Sequence, residues 1–567
     1  MTVMQYTNRP APAALPAGWA LLGNKPEGIA VDFCAMNMAV RDRTTPANNF
    51  SGDPGERFSY TSPSTKWICD GLGQMVSGTT LRCDHDRGTL DSSNTPLTSF
   101  HANKTLTIVG ATDYRRGVQW LTATSFVPGT VVKNGTGSYI CLASHTSAAT
   151  SEPGVGATWQ TYWAAATGHT VRVTASADAT RWMLGKVVSF NTATKALTLA
   201  VYASSGPISG SSWKVIVALG IVSERQSTNA IIQSADLSNN TAWTNWLGGA
   251  VTPVASIFSG GTSYKFAGNG TGSTSRTQTT ATLPDSSPVC HWAIIEQDTG
   301  TFYEWGVYDL SAGAFIGGAR FNWATETVSV LFGSLVRSGV VNLGIGPNGG
   351  KLRLVWLVVN TGASGQVRRI YNYPNGTGGN TLATIIHHVQ IEPMPYPTTP
   401  IVTGASAVTR AADNIRLLTS LFPYTAAAQT VMVECDFPYG SDLNNGARWA
   451  FTLGHTSNDR YQSYNAGSGR NYISLVSGGT TSVIGNAAPT SDAMIKTAWR
   501  IQSADSAVSQ AGSPAVGVAV PASMPAATTT LYLAQSFSGI SHIDGHIKSF
   551  VFRPDAASNA ELQAMAA

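Results

Sequence analysis

Hydrophobic and polar positions alternate along most of this chain. KTLTIVGATDY, HTVRVTAS, GKVVSFNTATKALTLAVYAS, KLRLVWLVVN, QTVMVECDF and TTTLYLAQ are short runs rich in Val, Thr, Ile and aromatic residues. Each is bounded by Gly, Asn or Pro. A period of two sends successive side chains to opposite faces, so these runs predict half-buried strands. Clear helical character is confined to ASNAELQAMAA at the C-terminus, with Asp555 or Ser558 as its N-cap. KPEGIAVDFCAMNMAV, near the start, keeps no clean period and fits a strand or a short helix. The expected fold class is mostly β, a multi-domain string of small β-modules and β-sandwiches with little helix.

Three segments break the pattern. Residues 1–30 form a Pro/Ala-rich arm (NRPAPAALPAGW) that favours extended backbone and cannot build a core. VSERQSTNAIIQSADLS (222–238) is a second break. EPMPYPTTPIVTGASAVTRAADN (392–414) is a third, and its closely spaced prolines forbid a regular central strand.

Composition narrows the class. At 567 residues the chain exceeds one core, and about 150 residues per domain predicts several. Charged residues are only 12%, while 43% are hydrophobic and 15 are Trp, which argues against disorder. A net charge of +4 over this length gives no basic face for nucleic acid. No apolar run is long enough for a membrane span, and the N-terminus has no signal-peptide core, so neither membrane insertion nor a secretion signal is expected. Six cysteines are scattered without metal-ligand spacing and read as buried thiols; Cys69 with Cys83 is the one local pair open to a disulfide.

SPSTKWICDGLGQMVSGTTLRCDHDRG (62–88), with Arg82, Asp84, His85 and Asp86 as an Arg-x-Asp-His-Asp run, resembles the opening block of the modular structural proteins of tailed bacteriophages. RWMLGKVVSFNTATKALTLAVYASSGPISGSSWKVIV (181–217) resembles their β-hairpin module. HHVQIEPMPYPTTPIVTGASAVTRAAD (387–413) resembles their linker. FVPGTVVKNGTGSYICLASHTSA resembles a chitin- or cellulose-type carbohydrate-binding module on Gly129, Val132, Tyr139 and Trp159. SADLSNNTAWTNW (234–246) resembles the first strand of jelly-roll modules, and the last 150 residues resemble a laminin-G/concanavalin-like sandwich. The resemblance implies this division: 1–30 arm; 31–118 virion-attachment region; 119–168 small carbohydrate-binding-like module; 169–226 β-hairpin module; 227–398 jelly roll; 399–416 linker; 417–567 terminal sandwich.

Pyranose rings carry an apolar C–H face on which an indole or phenol stacks. The candidate sugar contacts are therefore aromatic: Trp120, Tyr139, Trp159 and Trp163 in the small module, Trp246 in the jelly roll, and Tyr461, Tyr464 and Tyr472 in the terminal domain. Tyr139, mid-strand, also suits a core position. The loop SHTSAATSEPGVGA (144–157) offers no aromatic residue. Trp292, Tyr303 and Trp305 are candidates for the inner face of the jelly roll. Nucleophile elbows, zinc-protease motifs and phosphate loops are absent from the sequence. Asp84-His85-Asp86 and His387-His388 read as structural, because adjacent strand side chains diverge, and GIGPNGG reads as a hairpin turn. Glu434 and Asp436 face one way on a strand and read as surface acids.

These features lead to the expectation of a non-enzymatic virion protein, a tail fibre or peripheral tail protein that contacts host-surface glycan. Its partners would be other tail or neck proteins through the N-terminal region and further copies of itself, often as a trimer. It would need no cofactor and no metal, bind no nucleic acid, and sit in the virion tail after assembly in the host cytoplasm. The alternatives are a tail-borne polysaccharide depolymerase or a head or neck decoration fibre.

Overall fold

The alternation between residues 243 and 392 resolves into two antiparallel sheets packed face to face. The computed structural model describes residues 25–566 apart from short intervals, the longest being 98–105, 110–117, 205–212, 437–447 and 485–494. One sheet of this jelly roll runs Trp243–Trp246, Ser275–Thr282, Val367–Tyr373, Phe302–Asp309, Ala314–Asn322, Thr327–Gly333. The other runs Ala250–Ala255, Thr262–Ala267, Ala383–Glu392, Pro288–Gln297, Lys351–Asn360, Arg337–Ile345. Trp243, Tyr303, Trp305, Phe321, Ile295, Leu357 and Ile386 meet between them, each large side chain contributing about 2 kcal/mol by leaving water. Tyr303 and Trp305 thus take the inner face. Trp292 does not: it lies on the outward face of the second sheet, buried with Phe258, Leu352 and Trp356. GIGPNGG is the hairpin turn between Arg337–Ile345 and Lys351–Asn360, with Gly349 at φ +89°.

The strands after residue 414 form a second sandwich. Ser59–Thr61, Asn414–Leu418, Thr530–Leu533, Arg448–Thr456, Asp459–Ala466, Arg470–Ser477 and Thr480–Ile484 make one sheet. In the facing sheet Gly545–Arg553 is followed outward by Ala428–Cys435, Ile495–Gln502, Ser506–Gln510 and Val516–Val518. Phe33, Phe422, Phe451, Trp499, Phe550 and Phe552 are part of the core. The helix Asn559–Ala566 is capped by Ser558 rather than Asp555. Ser558 Oγ accepts the Glu561 N–H at 3.2 Å while the Glu561 carboxylate accepts the Ser558 N–H at 2.8 Å, a reciprocal capping box. Leu562, Met565 and Ala566 then pack outside the sheet on Ala498 and Val551.

The early residues do not stand apart as an attachment domain. GIAVD and NMAVR form a hairpin, and Gly28–Asp32 pairs with the last strand through Ile29↔Phe552 and Val31↔Phe550. Ser59–Thr61 joins the opposite sheet. The next hairpin, Lys66–Cys69 with Met75–Gly78, lies against the outward face of the jelly roll, with Trp67 edge-on to Phe258 at 4.9 Å. Asp84–Asp86 pairs with Trp213–Ser223 of the β-hairpin module, and that strand in turn pairs with the final one through Ile221↔Ile547. At the crossing Gly220 takes φ +100°, and a Cβ there would collide with the Ile547 carbonyl. The modules therefore share strands, and the string of beads is tied at several points.

The two sequence breaks meet as one buried joint. Ser227–Asn229 pairs with Val408–Arg410. Glu224 accepts the Thr399 N–H at 2.7 Å and its hydroxyl at 2.6 Å, and pairs with Arg410 at 3.0 Å and Lys66 at 3.5 Å. Glu392 accepts Ser227 Oγ, Trp292 Nε1, Thr398 N–H and Thr398 Oγ1 within 2.9 Å. The segment expected as a linker at 399–416 is a hydrogen-bonded core element, because prolines bar ladder pairing but leave side-chain and carbonyl bonding open.

The cysteines are free and buried. Cys83 clusters with Cys34 and Ala218, whereas Cys69 packs with Met75 under the jelly roll, so the local Cys69–Cys83 pair is not a disulfide. Glu434 and Asp436 are not surface acids. Glu434 pairs with Lys548 at 3.0 Å, and Asp436 with His546 at 2.9 Å, whose other ring nitrogen lies 3.1 Å from Asp84.

Candidate functional site

The expected sugar contacts lie in three separate bodies. In the small module Trp120, Tyr139 and Trp163 are buried with Phe126, Val132 and Cys141, and Trp163 Nε1 donates to the Ser151 carbonyl at 2.9 Å. Their rings build the module and present no open face. Trp159, half-buried, meets Tyr139 edge-on at 5.6 Å, and half-buried Tyr162 stacks on His145 at 4.3 Å. Tyr461 is inside the terminal sandwich, with its hydroxyl 3.4 Å from that of Tyr424. Trp246 lies on Trp243–Trp246, and Tyr464 and Tyr472 face each other across a strand pair, but the side chains of these three are outside the described residues.

A different aromatic surface forms on the outward face of the first jelly-roll sheet. On Phe302–Asp309 the odd positions Tyr303, Trp305 and Val307 enter the core, which leaves Phe302, Glu304, Gly306 and Tyr308 facing out. Registers align Tyr371, Gly306, Gly318 and Phe332 in one row and Tyr373, Glu304, Arg320 and Ser329 in the next. Arg369, Tyr308 and Phe315 form a third. The two glycines have a steric purpose. A Cβ on Gly306 would stand 3.4 Å from the Phe315 ring, and one on Gly318 would stand 3.0 Å from that of Phe332. Phe315 and Phe332 can therefore lie close over the sheet, stacked at 4.5 Å and 16°. Tyr308 stands edge-on to Phe315 at 5.1 Å and to Tyr371 at 5.9 Å, and Tyr371 stacks on Tyr373. Phe302, Tyr308, Phe315 and Phe332 remain half-exposed.

Polar groups are set into this shelf. Glu304 is completely buried, and its Oε1 accepts two bonds from Arg320 at 2.5 Å. Its other oxygen has no partner. Burial lifts the Glu304 carboxyl above its ordinary range against the pull of Arg320. Arg320 is held over the Phe302 ring at 4.9 Å. Arg369 donates to Tyr371 Oη at 3.4 Å, and its buried Nε has no partner. The half-exposed rings can stack on the apolar face of a ring-shaped polyol, while the unpartnered Glu304 oxygen and Arg369 nitrogen are enclosed beneath them. The strand alternation that places Tyr303 and Trp305 inside would have exposed Glu304 and Tyr308. Phe315 and Phe332 were not legible, since bulges shift the register on both of their strand pairs.

Among the described residues no group of three or more His, Cys, Asp or Glu could hold a metal ion, and no helix is long and apolar enough to cross a membrane.

No protein-family model matches the chain, and no curated protein matches it. Solved structures overlap it at low similarity. The carbohydrate-binding module CBM40 of Ruminococcus gnavus IT-sialidase, bound to α2,3-sialyllactose, is 13% identical over 25% of this chain and 83% of its own, at a TM-score of 0.21. Domains LG4-5 of mouse laminin α1 are 7% identical over 60% of this chain and 91% of their own, at 0.18. Trypanosoma rangeli sialidase with the inhibitor DANA is 11% identical over 92% of this chain and 95% of its own, at 0.20. With scores this low, none lends a residue, ligand or activity to this chain. The expectation of a non-enzymatic chain is withdrawn, since sialidases are among these overlaps, at scores that carry no argument for or against an activity.

Proposed function

We propose that this chain is a peripheral tail component of a bacteriophage virion, a tail fibre or a related tail protein, that contacts host-surface glycan through the aromatic shelf of its jelly roll. The phage assignment rests on the blocks at 62–88, 181–217 and 387–413. The observation that carries the glycan reading is the set of half-exposed rings, Phe302, Tyr308, Phe315 and Phe332, gathered over Gly306 and Gly318. Such rings offer flat apolar faces on which the C–H face of a sugar stacks. In this reading the N-terminal region joins the virion, copies of the chain assemble together, and weak sites gain avidity through number. The test is glycan-array binding by the full chain beside Phe315→Ala and Tyr308→Ala. Binding by the parent that falls at least about tenfold in both variants supports the reading. Binding unchanged in both sinks it.

A further inference from the structure

The charge of the aromatic shelf is uneven, and its source can be traced strand by strand. Val367–Tyr373, Phe302–Asp309, Ala314–Asn322 and Thr327–Gly333 together carry three arginines, Arg320, Arg368 and Arg369, and two acids, Glu304 and Asp309. Strand alternation sorts them between the two faces. Val307 and Ile370 are core residues, so Asp309 and Arg368, two positions away on the same strands, turn inward with them and pair at 3.4 Å. Glu304, Arg320 and Arg369 belong to the shelf. Two cations against one carboxylate leave this face with one positive charge in excess.

The excess resides on Arg369. Glu304 is fully buried against Arg320 and accepts its Nε and Nη2, so that cation already has its counter-ion. In the same jelly roll Arg353 meets Glu326 and Arg368 meets Asp309. Arg369 meets no carboxylate among the described residues, and its Nη1 donates instead to the Tyr371 hydroxyl at 3.4 Å. It is half-buried and stands directly across the strand pair from Tyr308, which places their Cβ atoms about 5 Å apart. Tyr308 in turn meets Phe315 at 5.1 Å. A cation without a counter-ion is therefore fixed beside the exposed rings, and partial burial strengthens its pull on an anion over that in open water.

We infer that the shelf selects anionic glycans, with a sugar ring stacked on Tyr308 and Phe315 and its carboxylate or phosphate group held by Arg369, the specificity-determining residue. The inference rests on the reading of the shelf as a glycan site and adds the class of glycan. A planar guanidinium offers parallel N–H donors that match two oxygens of either anion. Neutral glycans keep the stacking and lose only this bond, so Arg369 sets preference while the rings set binding as such.

The test measures binding of the full chain at low salt to arrayed carboxylate-bearing, phosphate-bearing and neutral glycans. Each anionic glycan that binds is measured again after its charge is removed, by carboxyl reduction or by phosphatase, and the arm that responds identifies the anion. Loss of the charge should weaken binding at least about tenfold, the yield of hydrogen bonds to a charged group. Arg369→Gln should bring anionic glycans down to the level of their neutral forms and leave the neutral forms unchanged. The glycan-side comparison needs no variant, so the inference stays falsifiable if Arg369→Gln fails to fold. Equal binding of anionic and neutral forms by the parent overturns the inference and leaves the shelf a glycan site. So does a preference that persists in folded Arg369→Gln. Binding unaffected by Phe315→Ala and Tyr308→Ala, or no binding at all, overturns the shelf itself and the inference with it.

Discussion

Replacing Glu224 by Gln should destabilise the protein by about 3 kcal/mol at neutral pH, and the penalty should fade in acid. Glu224 sits in the joint between the two sandwiches with 7% of its side chain exposed, facing Lys66 at 4% and Arg410 at 0%. Burial alone would raise its carboxyl. Arg410, Lys66 and the Thr399 bonds instead push it from the ordinary 4.5 down to about 2. At about 1.4 kcal/mol per pH unit, that difference is worth about 3 kcal/mol. The figure agrees with the roughly 3–5 kcal/mol lost when one partner of a buried ion pair is removed. Because the folded value lies below the unfolded one, the contribution is complete above pH 4.5 and is lost as pH falls towards 2. Urea unfolding followed by tryptophan fluorescence, run near pH 7 and near pH 2.5 on both proteins, measures the difference. A penalty under about 1 kcal/mol at neutral pH, or one equal at both pH values, would refute the reasoning.

The other predictions concern separate features. Burial alone would lower the His546 imidazole, but Asp436 and Asp84 hold it well above 6.5. Its stabilisation is therefore complete below pH 6.5 and lost as pH rises through the folded value. Asp84→Asn should lower the thermal midpoint more near pH 6 than in alkali, as a pH series of melts would show. Gly220→Ala places a Cβ against the Ile547 carbonyl at positive φ and should cost more than about 2 kcal/mol, read as a shift of the urea midpoint. Ellman's reagent should find no fast thiol in the native chain and all six after unfolding, since every cysteine is buried and free. Burial raises the Cys34, Cys290 and Cys435 thiols further from reactivity. A fast native thiol would contradict that packing.

Much of the fold was legible because its signal is local. Period-two runs such as KLRLVWLVVN and QTVMVECDF name their own strands, and the alternation in FYEWGVYD separates Tyr303 and Trp305 from Glu304 and Tyr308 before any partner is known. The turn at GIGPNGG and the Ser558–Glu561 cap depend on residues a few positions apart, so sequence alone placed the turn and offered Ser558. Residues far apart in sequence decided the rest. Whether an aromatic residue is core or contact depends on what covers it, and Trp120, Tyr139 and Trp163 are enclosed by one another. The aromatic shelf exists because three strand pairings and two bulges bring Phe315, Phe332 and Tyr371 around Gly306 and Gly318. The buried joint needs Lys66, Glu224 and Arg410 to converge from three distant segments. Periodicity fixes which way a side chain points from its own strand; only strand order and register determine what it meets there.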